Sequence, residues 1–375
     1  MSVRLRLIGE LALGVAVVAG SGRVLAQVNT GELRLRVTDS TGLGLKASVS
    51  VASDASQYRK MFESGLGGDL DVKNLPYGVY EVRVERVGFG VRGETVEVRS
   101  TLPAERVIVL GVAAVATSVN VTAVSTLIDP YRPSTVAQIG SREIEDRVSS
   151  LPGRSVQDLV NSQPGWLYEG NGVLHPRGSE YQTQVVIDGI PLTDNRSPGM
   201  GPEIEADDLE SASVYTAGIP AEYGRKMGGV IELNTRRETA AGVHGQLVLA
   251  GGSFDTAQGY ARVQDVWGRN TLGVSASGSM SAHYLNPVVP ENFTNRGTTG
   301  DFSASYDRDL TKSDRLRLSV RHELSRYEIP NELVQQQAGQ LQTGDNLETM
   351  GTVRYQHIFS ADRLGTVAGM IRDNA

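Results

Sequence analysis

The chain has 375 residues, enough for two or three domains. Gly supplies 43 of them and aromatics 6%, a balance that suits many short strands and turns and argues against a helical bundle. A net charge of -7 excludes a domain-wide basic surface for nucleic acid, and the absence of cysteine excludes disulfides, thiolate metal sites, a cysteine nucleophile and a lipidated cysteine.

Residues 1–26 carry a basic start (MSVRLR), a mostly apolar stretch and small residues around Ala26. That order reads as a secretory signal peptide; the competing reading is a short N-terminal helix. No other stretch approaches the ~20 apolar residues of a membrane helix, so a membrane role would have to use strands.

Residues 28–112 alternate with period two in LRLRV, SVSV, YEVRVERV, TVEVRS and RVIVL. In YEVRVERV, Tyr80, Val82 and Val84 share one face, and Glu81, Arg83 and Glu85 share the other. This is the pattern of a half-buried antiparallel strand. About seven such strands predict an immunoglobulin-like sandwich. GFGVRG (88–93) matches a dinucleotide-binding spacing, but the alternating ETVEVRS follows it where the pyrophosphate would need a helix. Residues 113–130 are rich in Val and Thr and uncharged until Asp129, a composition suited to an added strand.

Residues 131–240 mix types. Ser141 is placed to cap a short helix, and Ser155 with Asp158 has the spacing of a capping box before a second helix that Pro164-Gly165 stops. Short strands are predicted near LHPRG, QVVIDG, SASVYTA and GVIELNTR, giving a small α+β domain. Val185 to Ile187 supplies core, Asp188-Gly189 turns the chain within two residues, and Pro191 ends pairing on that edge.

From about 241 to 375 the period-two code returns in longer runs. Leu272, Val274, Ala276 and Met280 alternate with Ser and Thr. Leu316, Leu318, Val320 and Leu324 alternate with Arg315, Arg317, Ser319, Arg321 and Glu323. Phe302, Ala304 and Tyr306 stand opposite Asp301, Ser303, Ser305 and Asp307. One apolar and one polar face is the code of a membrane barrel wall, or of an amphipathic soluble sheet. The fold class expected is mainly β: a sandwich, a small α+β domain and the first strands of a transmembrane barrel.

Two resemblances add to this reading. GDLDVKNLPYGVYEVRVERVGF resembles the carboxypeptidase-regulatory-like sandwich domains, through Leu75, Pro76, Gly78 and Tyr80 and the closing Gly88-Phe89. That resemblance implies a structural or binding module, not a peptidase. In order along the chain, SVQDLVNSQPGW (155–166), HPRGSEYQTQVVIDGIPL (175–192) and GIPAEYGRKMGGVIELNTR (218–236) resemble the plug domain of TonB-dependent outer-membrane receptors.

The plug resemblance implies that Arg177 and Glu222 hold a stopper in its barrel. Gly178 would permit close backbone approach, while Asp188, Gly189, Tyr223, Gly224, Gly228 and Gly229 would shape plug turns and contacts. It also places a candidate TonB box at Ser118, Val119, Asn120, Val121, Thr122 and Ala123, in the linker at 113–130. The partners implied are a TonB-type energy-transducing protein of the inner membrane, outer-membrane lipid and an unidentified ligand, with the sandwich in the periplasm.

Plugged transporters close with 22 strands. The 135 residues after 240 (375 − 240) allow about six or seven, so the expectation is the front part of a larger receptor or an incomplete gene product. Catalytic motifs are missing. His322-Glu323 has no second His, no G-x-S-x-G occurs, and His175 before Pro reads as a turn residue. No cofactor or metal is expected, and the competing function is a non-transporting envelope-binding or adhesion protein.

Overall fold

The computed structural model describes residues 30–112, 135–147, 153–168, 174–177, 183–192, 204–219, 223 and 228–374. The expected signal peptide at 1–26 and the expected linker at 113–130 lie outside them.

The first unit runs β1 (Thr30–Asp39), β2 (Ser48–Ser53), β3 (Tyr58–Glu63), β4 (Asp69–Pro76), β5 (Gly78–Glu85), β6 (Arg92–Val98) and β7 (Pro103–Leu110). The strands form two sheets, ordered β4-β1-β7 and β3-β2-β5-β6. On β5, Tyr80, Val82 and Val84 are fully buried, while Arg83 and Glu85 point to solvent. They meet Leu33, Val37, Val72, Leu75 and Ile108 of the other sheet. The alternation therefore sets which face closes the sandwich. The Tyr80 hydroxyl donates to the Pro76 carbonyl at 2.6 Å, satisfying the one polar atom this side chain takes into the core. GFGVRG leads straight into β6 with no helix, which removes the dinucleotide reading.

The second unit is built on one five-stranded sheet, β12-β11-β14-β13-β8. Its elements are β8 (Thr135–Ile139), α1 (Ser141–Glu145), α2 (Ser155–Asn161), β9 (Trp166–Tyr168), β10 (Leu174–Pro176), β11 (Thr183–Ile187), β12 (Ile190–Leu192), a 3-10 turn at Ala206–Asp208, β13 (Leu209–Ala217) and β14 (Gly229–Thr235). The parallel β11–β14 pair is central, and every residue of β14 is buried, as expected for a strand covered on both faces. One face packs Ile139, Ile144, Val160, Trp166 and Leu209; the other packs Val186, Tyr215 and Val230.

The capping expectations fail here. Gly140 and Arg154 occupy the two N-cap positions without a side-chain cap. The Ser155 hydroxyl is drawn away. It donates to Glu205 Oε2 at 2.9 Å and accepts from the Ala206 N–H at 2.8 Å, so a tertiary partner replaces the local one.

The third unit is a seven-stranded antiparallel meander. It comprises β15 (Gly242–Gly252), β16 (Thr256–Trp267), β17 (Asn270–Ser281), β18 (Gly297–Asp309), β19 (Asp314–Glu328), β20 (Thr343–Ser360) and β21 (Arg363–Asn374). Its burial is inverted relative to a soluble sheet. On β17, Leu272, Val274 and Met280 are exposed, while Ser275, Ser279 and Ser281 are buried. On β19, Leu318, Val320 and Leu324 are exposed, while Arg317, Arg321, Glu323 and Ser325 are buried. Apolar side chains face outward and charges face the rest of the protein, the arrangement of a wall with lipid on its far side. At one end the strands join by tight turns at 268–269, 310–313 and 361–362. At the other end run the long loops 282–296 and 329–342, the latter holding α3 (Leu333–Gln337).

Candidate functional site at the plug–wall contact

The Asp-Gly turn singled out in the sequence is the centre of this contact. Ile187 pairs with Ile190, so Asp188 and Gly189 form a two-residue hairpin. Their φ values of 48° and 77° are both left-handed, as a type I′ turn requires. Asp tolerates that region because its short side chain can hydrogen-bond locally, and Gly has no Cβ to clash.

The turn thrusts the Asp188 carboxylate off the sheet. Oδ1 accepts the Thr235 N–H at 3.0 Å, and Oδ2 accepts the Thr235 hydroxyl at 2.8 Å. Oδ2 also accepts Arg317 Nη2 of β19 at 2.9 Å, and Arg237 Nη2 lies 3.3 Å from Oδ1. Arg317 Nη2 donates to the Thr235 hydroxyl as well, at 2.9 Å, and its Nη1 donates to Asp307 at 3.2 Å. A second anchor repeats the scheme one layer away. Asp208, at the end of the 3-10 turn, accepts Arg321 Nη2 at 3.0 Å and the Tyr260 hydroxyl at 3.0 Å. Arg147 pairs with the neighbouring Asp207 and fixes that turn from behind.

Arg317 and Arg321 are two turns of the same alternation on β19, so a straight strand presents both guanidinium groups to two carboxylates of the inserted unit. Such charge-assisted bonds are stronger than neutral ones, and here they are nearly dry. The gap left between this face and the wall is a cavity of only about 40 Å³, bordered by Asp188, Asp208, Arg317 and Arg321.

A third contact lies toward the long loops. Arg154 donates from Nη2 to the Tyr284 carbonyl at 2.6 Å and stacks over the Tyr284 ring at 5.3 Å; Tyr284 in turn stacks on Tyr327 at 5.6 Å. Nearby, burial pushes the Glu205 carboxyl above its ordinary range. The Ser155 hydrogen bond opposes this, and the charges of Asp207 and Asp301 add to it.

The residues expected from sequence divide into three groups. Asp188 and Gly189 form the turn and its anchor. Gly228 and Gly229 are buried. An added Cβ on Gly229 would stand 2.8 Å from the Trp166 ring, so the close approach of that indole demands glycine. Tyr223 packs on Tyr215 with ring centroids 5.8 Å apart. Arg177 is exposed, with φ 50°, and its N–H donates to the Gly165 carbonyl at 2.8 Å. Its expected partner Glu222, together with Gly178, Gly224 and the segment Ser118–Ala123, lies outside the described residues. Among the described residues, the anchors Asp188 and Asp208 on the inserted unit meet Arg317 and Arg321 on the wall. Asp208, Arg147, Tyr260 and Arg237 were not singled out from sequence. No local pattern marks them, because their partners are distant in the chain.

Residues 132–230 match the family model described as the TonB-dependent Receptor Plug Domain. The fold is shared with solved outer-membrane receptors. The alcaligin receptor FauA of Bordetella pertussis aligns with a TM-score of 0.52 and 16% identity, over 65% of this chain and 39% of that one. The ferripyoverdine receptor of Pseudomonas aeruginosa aligns at 0.52 and 14%, over 69% and 38%. The siderophore receptor PirA of Acinetobacter baumannii aligns at 0.51 and 15%, over 64% and 40%. The chain thus spans about two fifths of the length of these receptors. No curated protein sequence matches it. The protein carries a TonB-dependent receptor plug domain, set against barrel-like strands in the fold of the outer-membrane receptors.

Replacing Asp188 by Ala leaves Arg317 facing the plug without its carboxylate. Arg317 keeps Asp307 on the wall, so the loss is that of hydrogen bonding to a charged group, about 1.5–3 kcal/mol. The expected result is a lower denaturant midpoint for the plug, followed through Trp166 fluorescence with Trp267 replaced by Phe; an unchanged midpoint contradicts the anchor. Glu205 carries a pH signature. Its folded-state affinity for protons is raised, so the stability it contributes is present below its ordinary value of 4.5 and is lost as pH rises through the shifted value. Glu205→Gln is expected to remove that loss, so the midpoint difference between variant and parent grows as pH rises above 4.5. A pH-independent difference contradicts it.

Proposed function

We propose that the protein is an outer-membrane receptor that takes up a ligand into the periplasm under the drive of a TonB-type inner-membrane partner, with the plug as its gate. The observation that carries this reading is the pairing of Asp188 and Asp208 with Arg317 and Arg321 on the polar face of strands whose other face is apolar. A polar contact inside an apolar-coated wall holds the plug closed and remains reversible, since Arg317 keeps Asp307 and Arg321 keeps Asp301 and Glu323 as charge partners on the wall, and Asp188 keeps Thr235 on the plug.

In this reading the tight turns face the periplasm and the loops 282–296 and 329–342 face outside, following the loop asymmetry of outer-membrane barrels. The sandwich, a carboxypeptidase-regulatory-like module by resemblance, then lies in the periplasm. Ligand enters from the long-loop side, where Arg154 ties the plug to the loop residue Tyr284. Its engagement releases residues 118–123, which offer an extended Val- and Thr-rich strand to the partner by edge pairing. Since similar receptors bind alcaligin and ferripyoverdine, ferric siderophores are the first ligands to try, beside glycans and peptides.

The reading is tested by deleting residues 118–123 in the full-length gene product and measuring binding and uptake of radio-iron-labelled ferric hydroxamates and catecholates. Loss of uptake with binding retained is expected. Uptake that survives both the deletion and a proton uncoupler contradicts energised transport.

A further inference from the structure

We propose that the N-terminal sandwich is a charge-latched cap over the tight-turn end of plug and wall, which must swing away before that end opens. Only the placing of that end in the periplasm rests on the transport reading above; the latch itself does not.

The sandwich closes its own core between its two sheets, so its docked surface is free to be polar. On β1, Leu33 and Leu35 turn inward, and Glu32 and Arg34 turn toward the wall. Glu32 accepts Arg315 Nη2 of β19 at 2.8 Å through one oxygen and Arg34 Nε at 2.7 Å through the other. Arg34 Nη2 reaches on to the carbonyl of Lys312, in the β18–β19 turn, at 3.0 Å. From β4, Lys73 pairs with Asp309 at the base of β18. The Asn74 amide oxygen accepts Arg237 Nη1, from the strap between plug and wall, at 3.2 Å. The contacts between sandwich and strap or wall join residues 163 to 283 positions apart, so local chain geometry does not impose them.

The cap also touches the plug. Lys60 of β3 lies 3.4 Å from Glu210 of β13 and 3.7 Å from Glu238. The Ser56 and Gln57 carbonyls press so closely on Gly140 that a Cβ there would collide with them. The sandwich therefore spans both bodies that must separate if the plug is to move. Beneath it lies a cavity of about 890 Å³ walled by the cap, the strap and the wall, with Arg36 and Asp69 from the cap, Glu238 and Ala240 from the strap, and Asp307 and Gln356 from the wall.

A hydrophobic cap would resist opening, because its apolar surface would have to be wetted. A cap held by partly hydrated ion pairs can leave and return, and salt screens it. Burial opposes the charge on Glu32, yet Arg315 and Arg34 outweigh it and hold the carboxyl below its ordinary range, as expected when docking favours the ionised form.

The test uses the full-length gene product in outer-membrane fragments. The described chain contains no cysteine (Cys 0), so a single Gln356→Cys reports from the cavity wall. The readout is its labelling rate with a bulky polyethylene-glycol maleimide divided by that with N-ethylmaleimide. Two variants break the latch from opposite sides: Glu32→Gln with Lys73→Met on the cap, and Arg315→Gln on the wall. Each is expected to raise the ratio about tenfold, the change that loss of ~1.4 kcal/mol of docking free energy produces. Raising salt is expected to do the same for the parent and little for the variants. An equal ratio in all three proteins overturns the proposal. So does a rise in the cap variant alone, which would report a damaged sandwich and not a released one. No ligand or energy source enters this assay, so its failure is distinct from a failure of the transport reading.

Discussion

The structure turns on the placement of arginines on the inner face of a wall whose outer face is apolar. Arg317 and Arg321 lie on one face of β19 and Leu318, Val320 and Leu324 on the other, so one strand both presents an exposed apolar face and grips the plug. A guanidinium buried without a partner would cost several kcal/mol. Each wall arginine has carboxylate company on the wall itself, Asp307 for Arg317 and Asp301 with Glu323 for Arg321, and Asp188 and Asp208 of the plug complete the pairing. The plug needs the wall for the same reason, because its two anchor carboxylates stand at turns and not in its own core.

This mutual requirement explains the shape of the plug. Its sheet is buried on both faces along β14, a costly arrangement for a small unit in water but a natural one for a unit surrounded by protein. The hairpin at Asp188-Gly189 and the 3-10 turn at Ala206–Asp208 are where the backbone leaves the sheet, and both end in an acidic side chain aimed outward. The same chemistry recurs at the tight-turn end, where Glu32, Lys73 and Lys60 of the sandwich meet Arg315, Asp309 and Glu210. Among the described residues, charge pairs recur at each junction between the three units.

Much of this was legible in the sequence, for a physical reason. A strand's two faces are written with period two, so Tyr80, Val82 and Val84, and later Leu318 and Val320, announce the strand and which residues share a face, while which face of β19 turns outward was left open between a barrel wall and a soluble sheet. The left-handed turn at Asp188-Gly189 was equally local, since only those residue types adopt it cheaply. The capping spacing at Ser155 and Asp158 misled because a hydroxyl free to cap is also free to bind elsewhere, and Glu205 and Ala206 claimed it. The partners of Arg317 and Arg321 were illegible: the polar face of β19 could be read, but which carboxylates would meet it depends on packing across more than a hundred residues.

The most direct measurement of the central claim is a cysteine scan along β19 in the full-length gene product, reconstituted in bilayers and probed with lipid-soluble and water-soluble quenchers of an attached fluorophore. The account predicts that labels at Leu318, Val320 and Leu324 are quenched from the lipid phase, while those at Ser319 and Ser325 are protected from it. A scan with no alternation, or with the phase reversed so that Ser319 and Ser325 meet lipid, would contradict it.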